Sequence, residues 1–163
     1  MTLRDQIATC PPSPERDRIL AHLDGDPDEQ NGHVTGSALV VDADRRRTLV
    51  LFHRKLGKWL QPGGHVEPDD ADLAATALRE ATEETGIAGL VVENPARPAD
   101  LDVHWVGTHF HYDVRFVVVA PAGAVVAGNH ESTALRWVTP DQLDEIDADA
   151  SLRRFVAAAH LHP

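Results

Sequence analysis

Three glutamates, Glu80, Glu83 and Glu84, follow one another at i, i+3 and i+4 in a stretch built for a helix. Leu73, Ala74, Ala75, Ala77 and Leu78 favour that conformation and no Pro or Gly interrupts them. On a helix the three carboxylates share a face, where like charges at this spacing repel. A divalent cation would remove the repulsion, and hard oxygen ligands suit Mg²⁺ or Mn²⁺. The plain alternative is an acidic helix surface facing water, and an isolated Glu-x-x-Glu-Glu would favour it. The neighbours shift the balance: Gly63-Gly64 lies upstream, Arg79 directly precedes Glu80, and Gly86-Ile87 closes the segment.

These carboxylates need a helix with defined ends and a core to rest on. Asp69, Asp70 and Asp72 suit the N-cap and the positive end of the helix dipole, and Gly86 suits the C-terminal stop. Leu73, Ala77 and Ala81 form a separate apolar stripe for packing. Two short helices, Thr2 to Ala8 and Pro14 to Leu23, come first, and the turn-rich linker Gly25 to Gly32 follows. Strands are expected at Val34 to Val41, Thr48 to His53, Leu90 to Glu93, Leu101 to Val106, His111 to Ala120 and Ala134 to Val138. In the fifth, Tyr112, Val114 and Phe116 alternate with His111, Asp113 and Arg115 before a continuous apolar run, as in a strand whose end is buried on both faces. Pro62-Gly63-Gly64 reads as a tight turn, Pro140 as the start of a helical turn, and Ser151 as the N-cap of a closing helix to His160. The expected architecture is α/β, a mixed sheet with the acidic helix on one face and another helix on the other.

The series Gly, acid, Arg79-Glu80-Ala81-x-Glu83-Glu84-x-Gly86-Ile87 resembles the signature of the Nudix hydrolases, with Ala81 in the apolar position. The second half matches throughout. The first half departs: five residues lead from Gly64 to Asp70, but eight then separate Asp70 from Arg79, one more than the family pattern, and Asp replaces Glu. A longer loop before the helix would accommodate the extra residue. The flanking strands extend the resemblance over Val34 to Leu143. It implies a Nudix α/β/α sandwich over residues 33–163, preceded by a short N-terminal helical extension and linker over residues 1–32.

The resemblance also implies an activity: divalent-metal-dependent hydrolysis of a pyrophosphate bond in a nucleoside diphosphate derivative. Such cleavage needs charge neutralisation on phosphate oxygens, a positioned water and a base. Glu80, Glu83 and Glu84 would hold Mg²⁺ or Mn²⁺, with the Gly63 carbonyl as a further ligand; Glu83 and Glu84 are favoured for direct ligation. Arg79 is expected to pair with acids and orient the helix carboxylates. Glu131, in the loop before Leu135-Arg136-Trp137-Val138, is the first candidate base, and Glu67 the second. His65, Arg54, Lys58 and Trp59 are candidate substrate contacts beside the glycines. Trp105, Phe110 and Tyr112 are further stacking candidates. A zinc reading of His104, His109 and His111 ranks behind substrate contact or packing, because no Cys partners them. The competing reading is a domain that senses a nucleotide derivative without cleaving it. Double-bond isomerisation needs an acid or thiol poised over a carbon skeleton, and it is disfavoured because Cys10 lies far upstream and no second cysteine exists.

Composition narrows the partners. A net charge of −11 argues against nucleic-acid binding as the main task and so against RNA decapping, while leaving small phosphoanhydride substrates open. No apolar run is long enough to span a membrane. The single cysteine, Cys10, excludes an internal disulfide, fits a reducing cytoplasm, and reads as a small helix-end or surface residue. A homodimer is common among the proteins it resembles.

Overall fold

The computed structural model describes residues 2–127 and 132–162. Four helices, α1 (Leu3–Ala8), α2 (Pro14–Leu23), α3 (Leu73–Thr85) and α4 (Ala150–Ala158), flank one mixed sheet. Its strands are β1 (Gly32–Val41), β2 (Thr48–His53), β3 (Lys58–Leu60), β4 (Gly63–His65), β5 (Val91–Val92), β6 (Asp100–Val106), β7 (His109–Val119) and β8 (Ser132–Val138). The central path runs β3-β2-β1-β7-β5, with β4 beside β1, β6 beside β7 and β8 beside β2. Among the described residues only β1 and β7 pair in parallel; the other pairings are antiparallel.

Alternation along the two parallel strands splits the core. Ala38 and Val40 of β1 join Tyr112, Val114, Phe116 and Val118 of β7 beneath α3, with Leu73, Ala77 and Ala81 against them. Ile7, Cys10 and Ile19 from the N-terminal segment are buried in this same cluster. Leu39, Val41 and Val117 point the other way, onto Leu152, Phe155 and Val156 of α4. The sandwich expected from the sequence is therefore the fold that forms.

Several local expectations are corrected. Pro62-Gly63-Gly64 is not a tight turn: Gly63 and Gly64 lie in β4, opposite Ser37 and Gly36 of β1. Three-residue strands containing glycine carry too little alternation to be read in advance. The cap of α4 is Asp149, whose side chain accepts from the Leu152 N–H at 2.9 Å. Ser151 lies inside the helix, and its hydroxyl accepts from Arg115 Nη2 at 2.8 Å. The turn after Pro140 is a short 3₁₀ segment, Pro140–Leu143. Cys10 follows the end of α1 as expected but is buried.

Candidate active site

The acidic helix is fixed at both ends. Asp72 accepts from the Ala75 N–H at 2.8 Å, and Gly86 closes α3 at φ 68°, in the left-handed region that glycine enters without a Cβ penalty. Leu73, Ala77 and Ala81 hold its buried side against the sheet, which turns Glu80 and Glu84 toward β4. The Gly63 N–H donates to Glu84 Oε2 at 3.0 Å. At Gly64 a Cβ would collide with Glu80 Oε1, so a side chain there would push this carboxylate away from the strand.

Arg79 gathers the acids around it. Its Nε and Nη2 donate to the two Asp70 oxygens, each at 3.0 Å, and Nη2 also donates to the His65 carbonyl at 2.8 Å. Nη1 donates to Glu80 Oε1 at 2.9 Å and, more weakly, to Glu83 Oε2 at 3.4 Å. Asp70 further accepts from the Thr76 hydroxyl and the Glu67 N–H, each at 2.9 Å. The extra residue in the loop thus leaves Asp70 in direct contact with Arg79. That contact holds the Asp70 carboxyl well below the usual carboxylate range. Burial pushes Glu80 upward, and the neighbouring guanidinium opposes the shift.

A cleft of 520 Å³ opens beside β4, within the size range of small-molecule sites. Gly63, His65, Glu67, Glu80 and Glu84 line it, all singled out from the sequence. Carboxylates supply the hard oxygen donors that a Mg²⁺ or Mn²⁺ ion takes. Glu83 sits next to this wall, its side chain 54% exposed. Of the other candidate substrate contacts, His104 and His111 also line the cleft, whereas Arg54, Lys58 and Trp59 lie outside the lining. Arg54 is exposed, Lys58 pairs with Asp149 at 2.9 Å, and Trp59 packs on the α4 cluster with its ring edge-on to Phe52. Trp105, Phe110 and Tyr112 are not among the lining residues either: Tyr112 is buried against His22, and Arg18 lies over Phe110. Glu131 lies outside the described residues.

The cleft also has polar members that the sequence did not single out. Asp113 accepts from the Thr35 hydroxyl at 2.9 Å and the Ser37 hydroxyl at 2.8 Å, and all three line the cleft. Behind them Arg115, only 2% exposed, donates to Asp113 at 2.8 Å and Asp100 at 3.0 Å and lies 3.1 Å from Asp102. Asp102 also meets His104 Nδ1 at 2.8 Å and Arg154 at 2.6 Å. Burial works to raise its pKa, but the contact with His104 and the Arg115 and Arg154 charges hold it well below the carboxylate range. The available signal was the alternation in β7, where His109, His111, Asp113 and Arg115 occupy one face of an otherwise apolar strand.

With this geometry in place, known proteins are informative. The NUDIX domain model matches residues 32–159. A MutT-like protein of Streptomyces ambofaciens is 32% identical over 126 residues, covering 77% of this chain and 77% of the relative. Among solved structures, the MutT protein of Methanosarcina mazei Go1 superposes with a TM-score of 0.64 at 24% identity, covering 78% of this chain and 92% of that one. An Ap4A hydrolase of C. elegans gives a TM-score of 0.66 at 18% identity, covering 77% and 93%. At these identities the structural matches speak for the fold alone.

Proposed function

The chain belongs to the Nudix family, hydrolases of phosphoanhydride bonds, and from that starting point we propose that it cleaves a pyrophosphate bond in a nucleoside diphosphate derivative. The observation that carries this reading is the seating of the Gly63-Gly64 strand directly on Glu80 and Glu84, at the mouth of a cleft large enough for a nucleotide. Glu80, Glu83, Glu84 and the Gly63 carbonyl would hold Mg²⁺ or Mn²⁺, which supplies charge neutralisation on the phosphate oxygens. Arg79, gripped by Asp70, keeps Glu80 and Glu83 aligned. His65 lies in reach of a phosphate at the cleft wall. Water attacks one phosphorus, the bridging P–O bond breaks, and the second phosphate leaves with the bond's electrons. Glu131 takes the proton of that water in this scheme.

The substrate class follows from hydrolysis assays on nucleoside triphosphates, ADP-ribose-like nucleotide sugars, dinucleoside polyphosphates and non-nucleotide diphosphates, each with and without Mg²⁺ or Mn²⁺. Turnover of one group should fall by about 100-fold or more in Glu84→Gln, since even residues behind the metal ligands are worth about 10–100-fold. Glu131→Gln should lower turnover without weakening substrate binding. Full activity in Glu84→Gln would sink the assignment. Ligand-induced thermal stabilisation with no product from any group would turn the reading to a nucleotide-derivative sensor.

A further inference from the structure

Beside the carboxylates, five histidines meet at one end of the sheet: His33 on β1, His65 on β4, His104 on β6, and His109 and His111 on β7. The strand pairings bring them together. His33 and His111 are register partners across the parallel pair. His65 stands opposite Thr35, two residues along β1, and so emerges on the same face as His33. The rings of His33 and His65 are 4.6 Å apart, those of His33 and His111 4.8 Å, and those of His65 and His111 5.4 Å.

We propose that His33, His65 and His111 form a binding site for a borderline divalent cation of the zinc type, distinct in ligand chemistry from the glutamate set. One nitrogen from each ring lies within 4.8 Å of the other two, the one such grouping of three or more His, Cys, Asp or Glu side chains among the described residues. Zinc–imidazole bonds are about 2.0–2.1 Å long, so each nitrogen would need to close in by roughly 0.7 Å, within the reach of small side-chain rotations. Packing alone accounts poorly for the cluster. The Nε2 atoms of His33 and His109 are buried with no hydrogen-bond partner among the described residues, a costly arrangement for polar atoms.

The ionisation state also suits a cation. Burial, followed by the surrounding imidazoles, pushes His111 down to about 4, and burial lowers His33 as well. Both therefore offer neutral nitrogens at pH 7 without first losing a proton to the metal. Imidazole selects zinc-like ions while Mg²⁺ prefers oxygen, so the two ligand sets would sort two kinds of ion. Three protein ligands leave a fourth position for an outside oxygen. His65 and His111 line the cleft with Glu80 and Glu84, so solvent or a substrate phosphate can take that position.

The test uses the chain without an affinity tag and measures zinc binding by calorimetry in a large excess of Mg²⁺. One equivalent should bind, and it should persist in a Glu80→Gln, Glu84→Gln double variant. His33→Gln and His111→Gln should each weaken zinc binding by about 100-fold or more. Imidazole NMR of the unaltered chain gives a readout independent of variant folding: zinc should move the His33, His65 and His111 resonances together, and Mg²⁺ should not. The proposal is overturned if the unaltered chain takes up no zinc, if a folded His33→Gln binds it as tightly, or if binding disappears with the glutamates. Hydrolysis lost in Glu84→Gln and zinc lost in His33→Gln are separate results, so this site and the pyrophosphohydrolase reading can fail independently.

Discussion

Arg79 and Arg115 are both ringed by carboxylates, yet their surroundings differ in two ways. Arg79 takes its acids, Asp70, Glu80 and Glu83, from one short stretch of chain and keeps 20% of its side chain exposed at the edge of the cleft. Arg115 draws Asp100, Asp102 and Asp113 from two strands, reaches Ser151 on α4, and is 2% exposed. The first cluster is local and lies beside the cleft that Glu67 and Glu80 line. The second is assembled by the tertiary fold and ties the two strands to the helix behind them. Similar groups should therefore matter chiefly for activity at one site and chiefly for stability at the other.

The largest effect is expected at Arg115. Arg115→Met keeps much of the side-chain volume but leaves the buried Asp113 without its cation, while Arg154 still meets Asp100 and Asp102. Breaking a buried pair from one side costs about 3–5 kcal/mol. Urea unfolding should show that loss, and one below about 1 kcal/mol, the range of surface pairs, would end the contrast with Arg79.

Arg79→Met should be milder for the fold, about 2–3 kcal/mol, because its lost bonds are charged but partly solvated. Its activity should drop by about 10–100-fold, as for residues that orient metal ligands. Steady-state kinetics beside urea melts of the two variants would separate the roles. Equal activity losses at equal stability would erase the distinction.

The difference between the two clusters also decides what was legible in the sequence. Everything that builds the Arg79 site lies between Gly63 and Gly86, so the helix, its Asp72 cap, its apolar stripe and its glutamates could be read from spacing. The Arg115 site needs register: Asp100 pairs with Arg115 and Asp102 with Asp113 only once β6 lies antiparallel to β7. Ser151 shows the same limit, since its hydroxyl suits a helix cap locally but is engaged by Arg115, and Asp149 caps instead. The histidine cluster was hidden for a like reason. His33 falls one residue before the strand that alternation marks out, and its neighbours come from remote strands.

Asp70→Asn sharpens the comparison at lower cost, about 1 kcal/mol, because the amide keeps its shape and part of its hydrogen bonding. The informative reading is pH. Asp70 and Asp102 are both depressed in the folded protein. Their stabilisation is complete above the unfolded carboxylate pKa of about 3.9 and drains away as pH falls below it toward the folded values. Urea midpoints between pH 6 and pH 3 should therefore fall less steeply in Asp70→Asn than in the unaltered chain. The remaining slope should still contain the Asp102 contribution. An unchanged slope would mean that Arg79 does not hold Asp70 as described.

The smallest effect is expected where the same chemistry sits in water. Arg4 donates from Nε and Nη2 to the two oxygens of Asp24, joining α1 to the end of α2 with a geometry as good as that of Arg79 on Asp70. The side chains are 51% and 48% exposed. Solvent screens the charges, and ordering two long side chains offsets most of what remains. Arg4→Ala should leave the urea midpoint indistinguishable from that of the unaltered chain at ordinary salt. If exposure rather than bonding geometry ranks these arginines, raising the salt toward 1 M, where the screening length is about 3 Å, should leave the Arg115→Met loss nearly intact and shrink the stability loss in Arg79→Met. A clear drop in Arg4→Ala would show instead that two well-aligned hydrogen bonds carry stability whatever their exposure, and the separation between Arg79 and Arg115 would then need a cause other than burial.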